Sequence, residues 1–212
     1  VLDAIRKHKL AALANPDSSR VEMFRMLRTH IQFADANQDH QIVAVTSAKP
    51  KEGKSTLLGN LAVMFALSGK RTLAIDANLR RPALHRLFSL ANHPGLGEVL
   101  TGQCAVEQAI QPTMVAHLHL LAAGSPISSP AERLGSERML EALEGLRSRY
   151  DCVLIDTSCM LEVTDSQLLS AFCDGVVMVV RSGKVRKREA LQAMDKLDRV
   201  RAKVIGVVLN RA

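Results

Sequence analysis

Residues 41–66, QIVAVTSAKPKEGKSTLLGNLAVMFA, limit what this chain can fold into more than any other stretch. Ile42, Val43, Ala44 and Val45 form a brief β-branched run bounded by polar residues, which predicts a buried strand. From Ser55 onward Leu57, Leu58, Leu61, Ala62 and Phe65 recur at helical spacing. Between them Ala48, Lys49, Pro50, Lys51, Glu52, Gly53, Lys54 and Ser55 fit a phosphate-binding loop: Gly or Ala, four residues, then Gly-Lys-Ser. Backbone N–H groups of such a loop, and of the helix start behind it, point inward at an anion. Gly53 permits close approach of the backbone, Lys54 adds a point charge for the β- and γ-phosphates, and Ser55 offers a hydroxyl to Mg²⁺. Taken alone, the eight residues also fit a strand–turn–helix with a lysine-rich surface turn. The strand before and the helix after favour a nucleotide-phosphate site.

The chain's 212 residues suffice for one sizeable core, and 47% apolar content marks it as globular. No Trp, one Tyr and five Phe argue against a surface that stacks nucleic-acid bases. The cysteines Cys104, Cys152, Cys159 and Cys173 lack the two-residue spacing of a zinc or redox motif and read as core thiols in a reducing setting. No apolar run is long enough to cross a bilayer, and no signal peptide is visible. The chain opens on Val1 rather than Met, as a piece of a longer protein would. A net charge of +7 suits an anionic surface, phospholipid or nucleic acid, as well as a merely soluble basic face.

Residues 1–17 read as a basic lead-in, with Arg6, Lys7, His8 and Lys9, and residues 18–212 as a single nucleotide-binding domain. Ser18 or Ser19 is placed to cap a helix over residues 20–35, along which Glu22, Arg25 and Arg28 form one stripe. A strand over 72–75 ends at Asp76, and Pro82 opens a helix over 83–90. Two helical pieces flank Gly102, and a strand spans 117–122. Pro130 opens one long helix over 131–149. The strand 152–155 ends at Asp156, a helix spans 165–173, a strand 176–180, a basic helix 185–201 and a last strand 204–209. Strands alternating with helices predict an α/β fold: a mostly parallel central sheet with helices on both faces.

Asp76 stands at the carboxyl end of a predicted strand, where open α/β sheets place ligands. Val153-Leu154-Ile155-Asp156, an apolar run ending in an acid, is the usual second half of a phosphate-loop site, its carboxylate serving Mg²⁺; a plain helix cap is the alternative.

These motifs, in this order, resemble the bacterial tyrosine kinases of capsule and exopolysaccharide assembly, phosphate-loop proteins akin to the Min and Par ATPases. The resemblance covers nearly the whole chain. It runs through Glu22-x-x-Arg25-x-x-Arg28, Lys49-Pro50-x-Glu52-Gly53-Lys54-Ser55-Thr56, Leu73 to Pro82, Gly95-Leu96 to Gly102, Pro130-Ala131-Glu132, Asp174-Gly175-Val176-Val177 and Gly206 to Asn210. It implies a phosphate-loop NTPase architecture and a kinase that moves the ATP γ-phosphate to tyrosine with Mg²⁺. Lys54, Ser55 and Thr56 would bind the phosphates and the ion, with Asp76 and Asp156 also serving the metal. Asp76 would orient or deprotonate the tyrosine hydroxyl. Lys49 matches the extra lysine of the Min and Par relatives. Asn210 and Arg211 fall where those relatives contact adenine, and Arg181 is grouped with them as a nucleotide contact. Glu22, Arg25 and Arg28 would join copies of the chain into a ring. A transmembrane chain-length regulator, fused or separate, protein tyrosine substrates, and a cytoplasmic place at the inner face of the plasma membrane are also implied; a specific nucleic acid is not.

Three departures stand out. The family usually has Asp-x-Asp from Asp76, whereas here the second position, counted with the catalytic residues, is Asn78. Asp156 is followed by Thr157-Ser158-Cys159 rather than Thr-Pro-Pro. The family's acceptors are tail tyrosines, yet the only tyrosine here is Tyr150. Three explanations stay open: a missing tail, substrates on other chains, or a weakened kinase that keeps nucleotide-dependent assembly. A Min- or Par-type switch binding membrane or DNA through the basic helix is the competing reading.

Overall fold

Apolar β-branched runs of strand length, buried on both faces, pair into one seven-stranded sheet among the described residues. A computed structural model describes residues 10–34 and 41–211, so Arg6, Lys7, His8 and Lys9 lie outside the described residues. In chain order the elements are α1 (Ala11–Ala14), α2 (Ser19–Gln32), β1 (Ile42–Ser47), α3 (Lys54–Leu67), β2 (Thr72–Asp76), α4 (Leu84–Phe88), α5 (Leu96–Thr101), α6 (Val106–Ala109), β3 (Ile110–Pro112), β4 (Leu118–Leu121), α7 (Pro130–Leu134), α8 (Glu137–Arg147), β5 (Cys152–Cys159), α9 (Asp165–Ser170), β6 (Gly175–Arg181), α10 (Lys187–Arg199) and β7 (Val204–Asn210). The strand order is β3-β4-β2-β5-β1-β6-β7, and every pairing is parallel except β3 with β4.

Alternation along each strand sorts side chains to two faces. Val43, Val45, Ala74, Leu120, Leu154 and Val177 pack with α3 on one face. Ile42, Leu73, Ile75, Val153 and Ile155 pack with Leu96, Leu143 and Leu169 from α5, α8 and α9 on the other. Helix α3 is buried all round from Leu57 to Ala66, with the sheet beneath it and α1 and α2 above. The end of the lead-in belongs to this packing: Leu10 and Ala12 are buried, and the Ala12 N–H donates to Asn60 Oδ1 at 3.1 Å.

Several elements differ from their sequence-based expectation. The long helix over 131–149 is two helices, α7 and α8, divided at Gly135-Ser136. Ser136 starts the second one, its hydroxyl accepting from Met139 N at 3.4 Å, so a capping residue competes successfully with continuation. The helix after Pro82 is confined to α4, and Ser18 caps α2 by position without a side-chain bond. β3 was not expected; it is a three-residue edge strand ending in proline, too short to show a period. β5 continues past Asp156 to Cys159, because hydroxyls replace apolar groups as partners: Thr157 Oγ1 donates to Val45 O at 3.0 Å and Thr46 Oγ1 to Ser158 O at 3.1 Å.

Glu98 ties the α5 loop to the turn after β4. It is only 4% exposed and accepts from Gly95 N at 2.8 Å, Ser125 N at 3.0 Å and His93 Nδ1 at 2.9 Å. Burial pushes its carboxyl up, but the bonds from Ser125 and Gly95 outweigh burial and hold it at about 2. A carboxylate held below its unfolded value of 4.5 contributes stability above that pH and loses it as pH falls toward about 2. Urea denaturation should therefore find Glu98→Gln destabilised by roughly 1–3 kcal/mol at pH 7, with the gap from wild type closing near pH 2–3.

Candidate functional site

The phosphate loop joins β1 to α3 and turns through two left-handed residues, Lys51 at φ 63° and Gly53 at φ 100°. Gly53 is required twice over, since a Cβ there would also stand 2.2 Å from Asn210 Nδ2. Lys54 opens α3, at the helix end whose N–H groups have no intrahelical partner, and is mostly buried. The loop is held from beneath by fully buried Glu52. One carboxylate oxygen accepts from Lys49 N, and the other accepts from Arg181 N at 2.9 Å. Asn210 Nδ2 donates to Glu52 O at 2.7 Å, Lys184 Nζ to Pro50 O at 2.5 Å and Arg181 to Lys51 O at 3.4 Å. Lys49 itself is ion-paired with Glu189 at the start of α10. Arg181 and Asn210 thus meet the loop's backbone, and Arg211 beside them is exposed at φ 58°. The bracing by Glu52 and Glu189 was not foreseen. The Gly-Lys-Ser pattern carries no signal for it, because the partners that tie the loop to the rest of the fold, Arg181 for Glu52 and Lys49 for Glu189, lie more than a hundred residues away.

Asp76 and Asp156 are register partners across β2 and β5, both fully buried. Asp76 Oδ2 accepts from Ala83 N at 2.7 Å and Leu84 N at 2.9 Å, and Oδ1 from Asn78 N at 3.2 Å. Neither oxygen of Asp156 has a hydrogen-bond partner among the described residues. Burial raises both carboxyls above the ordinary carboxylate range. At Asp156 the neighbouring Asp76 raises it further, with Lys54 pulling the other way; at Asp76 the N–H donors pull down. Two buried acids, one with both oxygens bare, fit a divalent cation. Among the described residues no cluster of three or more His, Cys, Asp or Glu could hold a metal by itself. That donor set suits Mg²⁺, which takes one or two protein groups and completes its shell from phosphates and water.

The Asp76–Pro82 loop is fastened by Arg80, whose guanidinium meets buried Asp165 at 2.8 and 3.1 Å. Asn78 turns inward on its own loop, Oδ1 accepting from Arg81 N at 3.3 Å. The α2 stripe divides. Glu22 and Arg25 are exposed and pair with each other at 2.8 Å, whereas Arg28 donates to Met64 O at 3.3 Å. The four cysteines are free thiols.

Strand, loop, helix and paired acids make a phosphate-loop nucleotide-binding fold, and comparison with known proteins narrows it. A family model described as an AAA domain matches residues 40–205. The tyrosine-protein kinase YwqD of Bacillus subtilis is 40% identical over 98% of this chain and 90% of its own length. The chain belongs to the bacterial tyrosine kinase family. Among solved structures, the chimerical protein CapA2B2 superposes with a TM-score of 0.92 at 35% identity, over 96% of this chain and 90% of that one. The kinase domain of Escherichia coli tyrosine kinase ETK gives 0.90 at 32% identity, over 96% and 81%. The chain spans most of YwqD but only 27–29% of several longer kinase relatives.

Asp156 is a buried acid whose oxygens have no hydrogen-bond partner among the described residues, and Lys54 offsets its burial only in part, so Asp156→Asn removes a desolvation cost that the metal-free protein carries. In EDTA the variant should melt higher by roughly 2–4 °C, about 1 kcal/mol for a chain of this size. Added Mg²⁺-ADP should raise its melting temperature less than wild type's, as read by calorimetry.

Proposed function

We propose that this chain is a kinase domain that transfers the γ-phosphoryl group of ATP to tyrosine hydroxyls of protein chains, those of its own family included, within a system controlling capsule or exopolysaccharide assembly. The observation that carries the reading is the buried Asp76–Asp156 pair beside the phosphate loop, in a chain of this family. Loop N–H groups and Lys54 would hold the β- and γ-phosphates. Ser55, Asp156 and Asp76 would hold Mg²⁺, which when bound neutralises charge on those phosphates. Asp76, with its carboxyl raised toward the working pH, is placed to take the tyrosine proton. The phenol oxygen bonds to the γ-phosphorus, the bond to the ADP oxygen breaks, and the proton passes to the Asp76 carboxylate. Positioning and charge supply most of such a reaction.

Tyr150, 5% exposed with its hydroxyl 3.0 Å from His119 Nδ1, is held in the core, which supports an acceptor other than Tyr150. The exposed Glu22–Arg25 pair is available for ring contacts between copies. Among the described residues no helix is long and apolar enough to cross a membrane, so this reading takes membrane attachment from a transmembrane chain-length regulator. The basic helix α10 gives a DNA- or membrane-binding switch little support. Lys184, before α10, and Lys196 within it are engaged with Pro50 O and Met160 O, while Arg199 pairs with Asp195 on the helix surface.

With a tyrosine-bearing partner protein and Mg²⁺-ATP, Lys54→Met should abolish phosphotyrosine in an immunoblot; undiminished signal would sink the kinase reading. Asn78→Asp should leave the rate essentially unchanged, because an aspartate accepts from Arg81 N as well as the amide does. A marked gain in single-turnover rate would instead identify Asn78 as what weakens the enzyme.

A further inference from the structure

β2 and β5 carry the acids near their carboxyl ends, and a different chemistry gathers at their amino ends. Arg71 immediately precedes β2, His117 precedes β4 with His119 inside it, and Arg149 and Tyr150 precede β5. These five residues line a cavity of about 380 Å³. All five side chains can present an N–H or O–H donor, and none is acidic. The two guanidiniums are fixed from outside the cavity. Arg71 meets Asp151 through NH2 at 2.8 Å and Nε at 3.3 Å, and Arg149 meets Glu107 through NH1 at 2.8 Å. An arginine has five N–H donors in a rigid fork, so each keeps donors beyond its ion pair. Tyr150 and His119 hold each other edge to face, centroids 5.6 Å apart, and share the hydroxyl–Nδ1 bond. The result is a concave, donor-lined site in which each of the two guanidiniums is positioned by one carboxylate.

We propose that this cavity is a second anion site, separate from the phosphate loop, which takes the phosphoryl group of a small phosphorylated ligand. Two forked guanidiniums match phosphate oxygens in geometry and charge. The volume lies near the lower end of small-molecule sites, roughly 300–1,000 Å³, which suits pyrophosphate or a hexose phosphate better than a dinucleotide. The site does not depend on the kinase reading, since the loop and the acids stand at the opposite end of the same strands.

The test titrates the full chain with inorganic pyrophosphate, a hexose 1-phosphate and the unphosphorylated hexose, by calorimetry. Wild type, Lys54→Ala, Arg71→Gln and Arg149→Gln are compared, with circular dichroism as the folding control. Lys54→Ala, which disables the loop, should keep one binding site for the phosphorylated probes and none for the bare hexose. Either arginine variant should weaken that site by about tenfold, the loss of one charge-assisted bond. If Arg71→Gln fails to fold, Arg149→Gln carries the comparison, since its guanidinium is 47% exposed and its ion pair lies at the surface. Tighter pyrophosphate than hexose phosphate would mean that phosphate alone is read; the reverse would mean that the sugar is read too. No binding to Lys54→Ala, or binding indifferent to both arginine variants, would overturn the proposal.

Discussion

Two carboxylates in register on adjacent strands, with water removed, are the constraint that the rest of this structure answers. Like charges buried side by side raise each other's proton affinity, and the fold gives them unequal help. Asp76 receives three backbone N–H groups from the loop and helix that follow it, while Asp156 receives none among the described residues. The inequality leaves the two acids in different settings. The supported one is held in a single orientation, which suits the proton-accepting role proposed for it. The unsupported one has both oxygens without a hydrogen-bond partner among the described residues, which suits the proposed cation. A strand pair is well suited to this task, because parallel register fixes the spacing of the acids without reference to their side chains.

The second requirement is a phosphate loop that stays in shape before any phosphate arrives. Its backbone donors must face inward, so little inside the loop can hold it; the support comes from outside. Glu52 turns down to Arg181 N, Asn210 reaches the Glu52 carbonyl, and Lys184 reaches Pro50. The ends of β6 and β7 thereby act as the loop's floor, which accounts for residues expected to touch nucleotide lying against the loop. Preorganised donors lower the reorganisation that binding would otherwise require. Lys49, paired with Glu189, has its charge balanced within the chain.

Much of this was legible in the sequence, and the legible parts share a physical reason. Local periodicity marks β1, α3, β2 and β5, because burial on both faces demands continuous apolar runs there. The loop is legible because each of its residues meets a separate chemical demand. What failed to show was decided by partners distant in sequence or by short competing caps. Ser136 interrupts a helix whose apolar spacing continues across it. Thr157 and Ser158 prolong β5 by pairing with β1, which no window around them reveals. Glu52 reads only as one more residue of the phosphate loop, and Glu189 carries no signal at all, until β6, β7 and α10 are folded against the loop. The basic cavity is scattered across three strand starts and has no linear pattern at all.

That cavity and the acids are joined by the same strands, which raises the question of coupling between them. From Arg71, just before β2, to Asp76 at its far end is about 16 Å at roughly 3.3 Å per residue. Every residue of β2 is buried, and it is paired on both sides. Such a strand resists bending and has one arrangement, not two. Coupling between sites needs an element with two states that both sites bias. The Asp76–Pro82 loop is the better candidate for that role. It is held by side-chain bonds from Asn78 and Arg80 rather than by a ladder, and Arg80 is anchored on α9, outside the sheet. Any regulation of Asp76 is therefore expected to arrive through α9 and this loop, and the sheet serves as the fixed frame against which the loop is set.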